Sequence, residues 1–277
     1  MDWFGSYTST FRVERVDPVT WEQCGTLVNV DEIEIERDGT DKAPMIETAS
    51  MKVTSDPLEP FESGWLRITI DAVQGNSSES EPVATLWFDS ESGRYDKGFR
   101  EDNLVGTSVL RQASGDVKIG DGAWASKGID GSRWCADVLS EFIDAPVHID
   151  DGGFELSESI VFDLDASVLE AVWSVLTPNG WIIRIDGRGE VHLCKKPSSE
   201  SLVLDGAGSC SLIPGTEYGD GKSTYSREWA PDVGPFSVVR ASVPEYGLDG
   251  LYRVMSQRLS CTHGIVVEEC VEAMGDA

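Results

Sequence analysis

Along GWLRITIDAV, residues 64–73, apolar and polar positions alternate. Leu66, Ile68, Ile70 and Ala72 fall on one face, and Arg67, Thr69 and Asp71 on the other. A period of two marks a strand with one covered face. VATLWFD (83–89) and SMKV (50–53) repeat the pattern more briefly, and DEIEIERDG (31–39) turns Ile33 and Ile35 inward with Glu32, Glu34 and Glu36 outward. Polar loops such as RDGTDKAP (37–44) and QGNSSESEP (74–82) separate these runs. Short alternating strands joined by turn-rich links predict a sandwich or small barrel over the first hundred residues.

The period then lengthens. GSRWCADVLSEFIDAP (131–146) places Trp134, Val138, Leu139 and Phe142 on one helical stripe, with Ser132 as a plausible N-cap and Pro146 closing the segment. DLDASVLEAVWSVLTPNGW (163–181) does the same with Val168, Leu169, Val172, Trp173 and Leu176. Ser167 and Glu170 fit a capping box, Asp165 is an equally good cap, and Pro178, Asn179 and Gly180 end the run. These stretches predict helices near 132–143 and 165–176 in a small α+β middle domain, entered through the Gly-rich segment 115–131. The last quarter is β again, in FSVVRASV (236–243), GLYRVMSQRLS (250–260) and GIVVEECVEAM (264–274). Alternation along 250–260 is imperfect, which leaves its register open.

Gly187-Arg188-Gly189, in NGWIIRIDGRGEVHLCKKP (179–197), resembles a phosphate-cradling loop. A dinucleotide fingerprint needs a helix after its glycines and a third glycine. Here a second strand-like run, EVHLC (190–194), follows WIIRI (181–185), so the segment predicts a hairpin over 181–194 with Asp186–Gly189 as its turn. GTEYGDGKST (215–224) misses the Walker A spacing by one residue, since Thr216 stands where glycine is required, and no amphipathic helix follows Lys222-Ser223.

Other candidate chemistry is sparse. His192-x-Cys194 and Cys261-x-His263 would make a Cys2His2 zinc tetrahedron if their strands met, but nothing in the sequence brings them together, and buried free cysteine is the preferred reading. His148 beside Asp150 and Asp151 lacks a nucleophile motif. Trp134 and Trp173 belong to helix stripes and to the core; Trp65, Trp87 and Trp229 lie in or beside strands, where an outward ring could stack on sugar. No catalytic, cofactor-binding or metal-binding residue is assigned, and no cofactor is expected.

The 277 residues carry 49 acids against 22 bases, a net charge of −27. That balance repels polyanions and excludes sequence-specific nucleic-acid binding and anionic membrane as partners. The hydrophobic share of 40% and nine Trp suffice for real cores. Cys24, Cys135, Cys194, Cys210, Cys261 and Cys270 are scattered without a Cys-x-x-Cys, so reduced thiols rather than a disulfide framework are expected. MDWFGSYTSTFRVER shows no signal-peptide pattern, and no apolar run approaches the roughly 18 residues of a membrane span.

Two features in order resemble the baseplate-hub or tail-associated (tail-tip) family of phages and prophages. The first is the helix running into VLTPNGWIIRIDGRGEVHLCKKP and then LVLDGAG; the second is STYSREWAPDVGPFSVVRASVPEYGLDGLYRVMSQRLSCTHGIVVEE. The order of parts is similar over residues 1–274, and the wording over 165–205 and 224–270. The resemblance implies an N-terminal β-barrel, an α+β insertion and a C-terminal barrel like the first. The expected fold class is therefore mainly β with an α+β insertion, two small β-barrel-like domains flanking a small two-helix α+β domain, with domains over 1–100, 101–205 and 206–277. It further implies a non-enzymatic structural part of a virion tail, assembled in the bacterial cytoplasm as a trimer or hexamer around the tail axis and bound to neighbouring tail or baseplate proteins. Contacts are expected on strands 236–243 and 250–260 and on exposed Trp residues. One departure is that only GSCSLIPGTEYGDGK (208–222) stands where family members usually carry a further domain. A carbohydrate- or receptor-binding tail module is the alternative, and a hydrolase using an unrecognised Asp/Glu pair is third.

Overall fold

The computed structural model describes residues 1–3, 6–40, 43–56, 61–96, 98–120, 124–204, 213–218, 221–244, 247–261 and 264–274. Seven strands come first: β1 (Thr8–Val16), β2 (Gln23–Leu27), β3 (Val30–Thr40), β4 (Ala43–Ser55), β5 (Gly64–Gln74), β6 (Ser77–Asp96) and β7 (Phe99–Thr107). The middle holds β8 (Trp124–Ala125), α1 (Gly131–Ser140), β9 (Val147–Ile149), β10 (Ile160–Val161), α2 (Val168–Leu176), β11 (Trp181–Ile185) and β12 (Val191–Lys195). The chain closes with β13 (Glu200–Leu204), β14 (Ile213–Tyr218), β15 (Lys222–Glu228), β16 (Val238–Val243), β17 (Leu248–Cys261) and β18 (Ile265–Ala273).

The mainly β class with a small α+β part stands. The two β-rich halves share one 13-stranded sheet, in the order β14-β15-β18-β17-β3-β4-β7-β6-β5-β1-β2, with β13 and β16 attached beside β17. Among the described residues that order does not close into barrels. The halves are joined by β17, whose length serves two partners. Its first half pairs with β16, Leu248 opposite Val243 to Arg253 opposite Val238, and its second half pairs with β3, Ser256 opposite Asp38 to Cys261 opposite Ile33. A register shift against β18 falls between Val254 and Ser256. Tyr252 and Val254 are buried before it, and Gln257, Leu259 and Cys261 after it, so the buried set moves from even to odd positions. A bulge of this kind accounts for the broken alternation in the sequence.

Capping shows why each helix begins where it does. Ser167 and Glu170 form the full capping box of α2: Ser167 N–H donates to Glu170 Oε2 (2.8 Å), and Glu170 N–H donates to Ser167 Oγ (3.2 Å). At α1 the cap is Asp130, which accepts from the Arg133 N–H at 3.0 Å, and the expected cap Ser132 lies inside the helix and donates to Asp130. Asp and Ser cap comparably, and the carboxylate's charge also suits the positive end of the helix. α2 buries Val168, Leu169, Val172 and Leu176 and α1 buries Cys135, Ala136 and Leu139 in one cluster with the β11–β12 hairpin, Trp21 and Trp65. Trp134, Val138 and Phe142 of the expected α1 stripe, and Trp173 of α2, are only partly buried against it. β9 adds to β12 in parallel, with His148 opposite His192.

Candidate functional site

The hairpin turn anchors the site. β11 and β12 pair antiparallel from Trp181–Lys195 to Ile185–Val191, and Asp186 organises the turn between them. Its Oδ1 accepts the Arg188 and Glu190 amides, both at 2.9 Å. Such an Asx turn lets one carboxylate replace a turn of backbone hydrogen bonds. Gly187-Arg188-Gly189 is therefore part of a hairpin turn, and it docks on the large sheet. Trp21 Nε1 donates to the Arg188 carbonyl at 2.8 Å, Arg67 to the same carbonyl at 3.3 Å, and Thr85 Oγ1 to the Gly187 carbonyl at 3.1 Å. Gly189 adopts φ 75°, a left-handed angle that glycine alone takes without strain.

Beside this turn, β9 and β12 bring together groups that lie 42 residues apart in sequence. His192 Nδ1 contacts Asp150 Oδ1 at 2.9 Å, and its Nε2 faces Asp186 Oδ2 at 3.6 Å. His148 Nε2 contacts Glu190 Oε2 at 2.8 Å, and the two imidazoles stack 5.0 Å apart. Asp186 and Asp150 together outweigh the partial burial of His192 and push its pKa up to about 9 from an ordinary 6.5. Burial works against the charge of Asp186, but His192 and the turn amides hold its carboxyl below the usual value.

Because the folded His192 pKa lies above the unfolded one, the stability it contributes is complete below about pH 6.5. It is lost as pH rises through about 9. In chelator-treated protein, an NMR titration of this ring is expected to show a midpoint near 9. A midpoint at the ordinary value would mean that the two carboxylates do not hold it.

The residues singled out from sequence are dispersed otherwise. Cys194 belongs to the cluster around the helices and Cys261 to the large-sheet core, so they do not form one tetrahedron, and His263 lies outside the described residues. Burial pushes the Cys194 thiol up to about 11 and the Cys261 thiol to about 12, as for inert core cysteines. His148 pairs with Glu190 rather than with Asp150, and Asp151 accepts the Lys195 amide. Trp65 and Trp229 are buried. Trp87 packs edge-on against Trp65 and lines a cleft of about 430 Å³ with Asp89, Arg111, Gln112 and Asp144. Lys222 and Ser223 sit in β15, paired with β14 and β18, not in a phosphate loop. Strands 236–243 and 250–260 are not free edges either: β16 lies between β13 and β17, and β17 is paired on both sides.

No family model and no curated protein matches the sequence. Solved structures do. The 43 kDa tail protein of prophage MuSo2 from Shewanella oneidensis superposes with a TM-score of 0.65 at 12% identity, over 97% of this chain and 98% of that one. A tail protein from Neisseria meningitidis MC58 gives 0.60 at 12% identity, over 97% of each chain. This chain has the phage and prophage tail-protein fold. The E. coli c3393 protein, a component of the type VI secretion system, shares it with a TM-score of 0.53 at 10% identity, over 89% of this chain and 74% of that one. Within this tail-protein fold, the histidine–carboxylate cluster was missed from sequence because its pairing across β9 and β12 is tertiary. The available signal was the same-face spacing of His148 and Asp150 and of Glu190 and His192.

Proposed function

We propose that the chain is a structural component of a phage or prophage tail tip or baseplate hub, which self-associates around the tail axis and binds neighbouring tail proteins. The observation that carries this reading is the tail-protein fold running through nearly the whole chain. The edge strand β2, paired only with β1 among the described residues, supports self-association, because an unpaired edge is a template for a second copy. Val19 and Val28, 90% and 66% exposed, flank that strand and give such a contact apolar area. The net charge of −27 suits a passage along which DNA slides without sticking. No catalytic role is proposed.

Immunogold electron microscopy on induced particles, with antibody raised against this chain, tests the reading. Label is expected at the tail tip; intact tails without label, while the protein is present in the lysate, would sink it. The second reading, a carbohydrate- or receptor-binding module, is favoured by the Trp87 cleft, which joins an aromatic face to Asp and Arg side chains. On that reading Trp87→Ala abolishes binding on a glycan array. Identical array signals from the two proteins would exclude this cleft as the binding site.

A further inference from the structure

We propose that Asp186, Glu190 and His192 form a binding site for a divalent transition-metal ion, of the class zinc represents, at the turn where the β11–β12 hairpin docks on the large sheet. One ligand atom from each residue lies within 4.8 Å of the others. Asp186 Oδ2 and His192 Nε2 are 3.6 Å apart, too long for a hydrogen bond. It is close to the roughly 3.4 Å between two ligands each about 2.1 Å from a tetrahedral zinc.

The hydrogen bonds leave the right atoms free. Asp186 Oδ1 is taken by two turn amides, so Oδ2 faces the ring. His192 Nδ1 is held by Asp150, while its Nε2 is shielded from solvent and has no hydrogen-bond partner among the described residues. A carboxylate behind the first nitrogen, with the second aimed at other ligands, is the outer-shell arrangement that orients metal-binding imidazoles. Glu190 is steadied in the same way by His148 at 2.8 Å.

Charge agrees. Asp150, Asp186 and Glu190 outnumber the guanidiniums beside them: Arg184, which lines the same cleft as Asp150, Asp186 and His192, and Arg67, which interacts with Asp186 and Glu190 from the large sheet. Once His192 has released its proton, one negative charge remains in surplus, and a divalent ion offsets it. One imidazole with two carboxylates suits a borderline ion such as zinc rather than calcium, which takes oxygen ligands alone. Binding exchanges the Nε2 proton for the metal, so a proton is released. The bound ion would tie the turn to β12 at the place where Trp21, Arg67 and Thr85 hold it to the sheet.

The test uses the full chain, stripped with EDTA, exchanged into chelator-free buffer and titrated calorimetrically with zinc chloride. The expected result is one zinc per chain, with a zinc-edge anomalous peak between Asp186 and His192 in soaked crystals. Asp186→Asn keeps the oxygen that caps the turn and removes the ligand oxygen, and Glu190→Gln keeps the side-chain shape. Each is expected to weaken zinc by more than the about 10–100-fold typical of an outer-shell change, and Asp150→Asn by about that much. Circular dichroism of the metal-free variants guards against misfolding, and Glu190→Gln serves if Asp186→Asn does not fold. No saturable binding tighter than about 1 mM would overturn the proposal. So would unchanged affinity in a folded Asp186→Asn or Glu190→Gln protein, or a peak elsewhere.

Discussion

Replacing Glu269 by alanine is expected to lower the free energy of unfolding by about 3–5 kcal/mol. Glu269 and Arg227 form an ion pair whose side chains are both 0% exposed. Arg227 binds in a fork, Nε to Oε2 at 2.9 Å and the terminal nitrogen to Oε1 at 2.5 Å. Tyr225 adds its hydroxyl at 2.6 Å and Gln257 its amide at 2.6 Å, so the carboxylate accepts four hydrogen bonds. The pair itself contributes little against an apolar core, because taking two charges out of water costs about as much as their attraction returns. Removing one partner is different, since the buried Arg227 then loses the carboxylate that its fork holds.

Urea unfolding measures the loss. The double variant Arg227→Met, Glu269→Leu is expected to recover part of it, because both charges of the pair are then removed together. What remains is the loss of the hydrogen bonds that the Tyr225 hydroxyl and the Gln257 amide made to the carboxylate, although Gln257 keeps the Val233 carbonyl at 2.9 Å. A loss below about 1 kcal/mol in Glu269→Ala would mean that water reaches Arg227, contradicting its burial.

The second large effect is steric. Gly187→Ala is expected to cost about 3 kcal/mol, at the upper end for overpacking, because the added methyl would stand 1.9 Å from the Pro82 carbonyl oxygen. The obstacle is backbone on an interior strand, so it cannot swing aside as a flexible side chain would. Relief comes only by lifting the turn, which breaks the hydrogen bonds from Trp21, Arg67 and Thr85. Gly180→Ala is the control: Gly180 has φ 72° with nothing within 4 Å of the added methyl, so only the left-handed backbone penalty of about 1 kcal/mol applies. Thermal melts of the two variants separate docking from turn strain. Equal losses would show that the turn does not press on Pro82.

These two sites divide what could be read beforehand from what could not. The Asp186–Gly189 turn was legible, since two short apolar runs around Asp-Gly-x-Gly have few other solutions. That the turn presses against Pro82 was not, because a glycine needed for close approach looks the same as one needed for a turn. The Arg227–Glu269 pair was illegible for a related reason. Each lies on the covered face of its strand, Glu269 between Val267 and Val271 and Arg227 in line with Tyr225, and the sequence does not say that the two charges meet there. β5 repeats the lesson: Leu66, Ile68 and Ile70 are buried as their alternation predicts, but Thr69 on the other face is 4% exposed as well. The candidate site was less legible than the fold, because His148 and His192 meet only through the parallel pairing of β9 with β12.

By itself the sequence determined the local structure: strand and helix periods, the capping box at Ser167, the hairpin, and an acidity that repels polyanions. These depend on neighbours within a turn or a strand, where backbone geometry and side-chain period leave few choices. Only the tertiary structure decided that β17 joins both halves in one sheet, that Thr69 on the polar face of β5 is buried, and that two histidines and three carboxylates converge beside the hairpin turn. Those outcomes depend on which strands pair and how elements far apart in sequence pack, and a periodic pattern fixes which face is apolar without naming what will cover it.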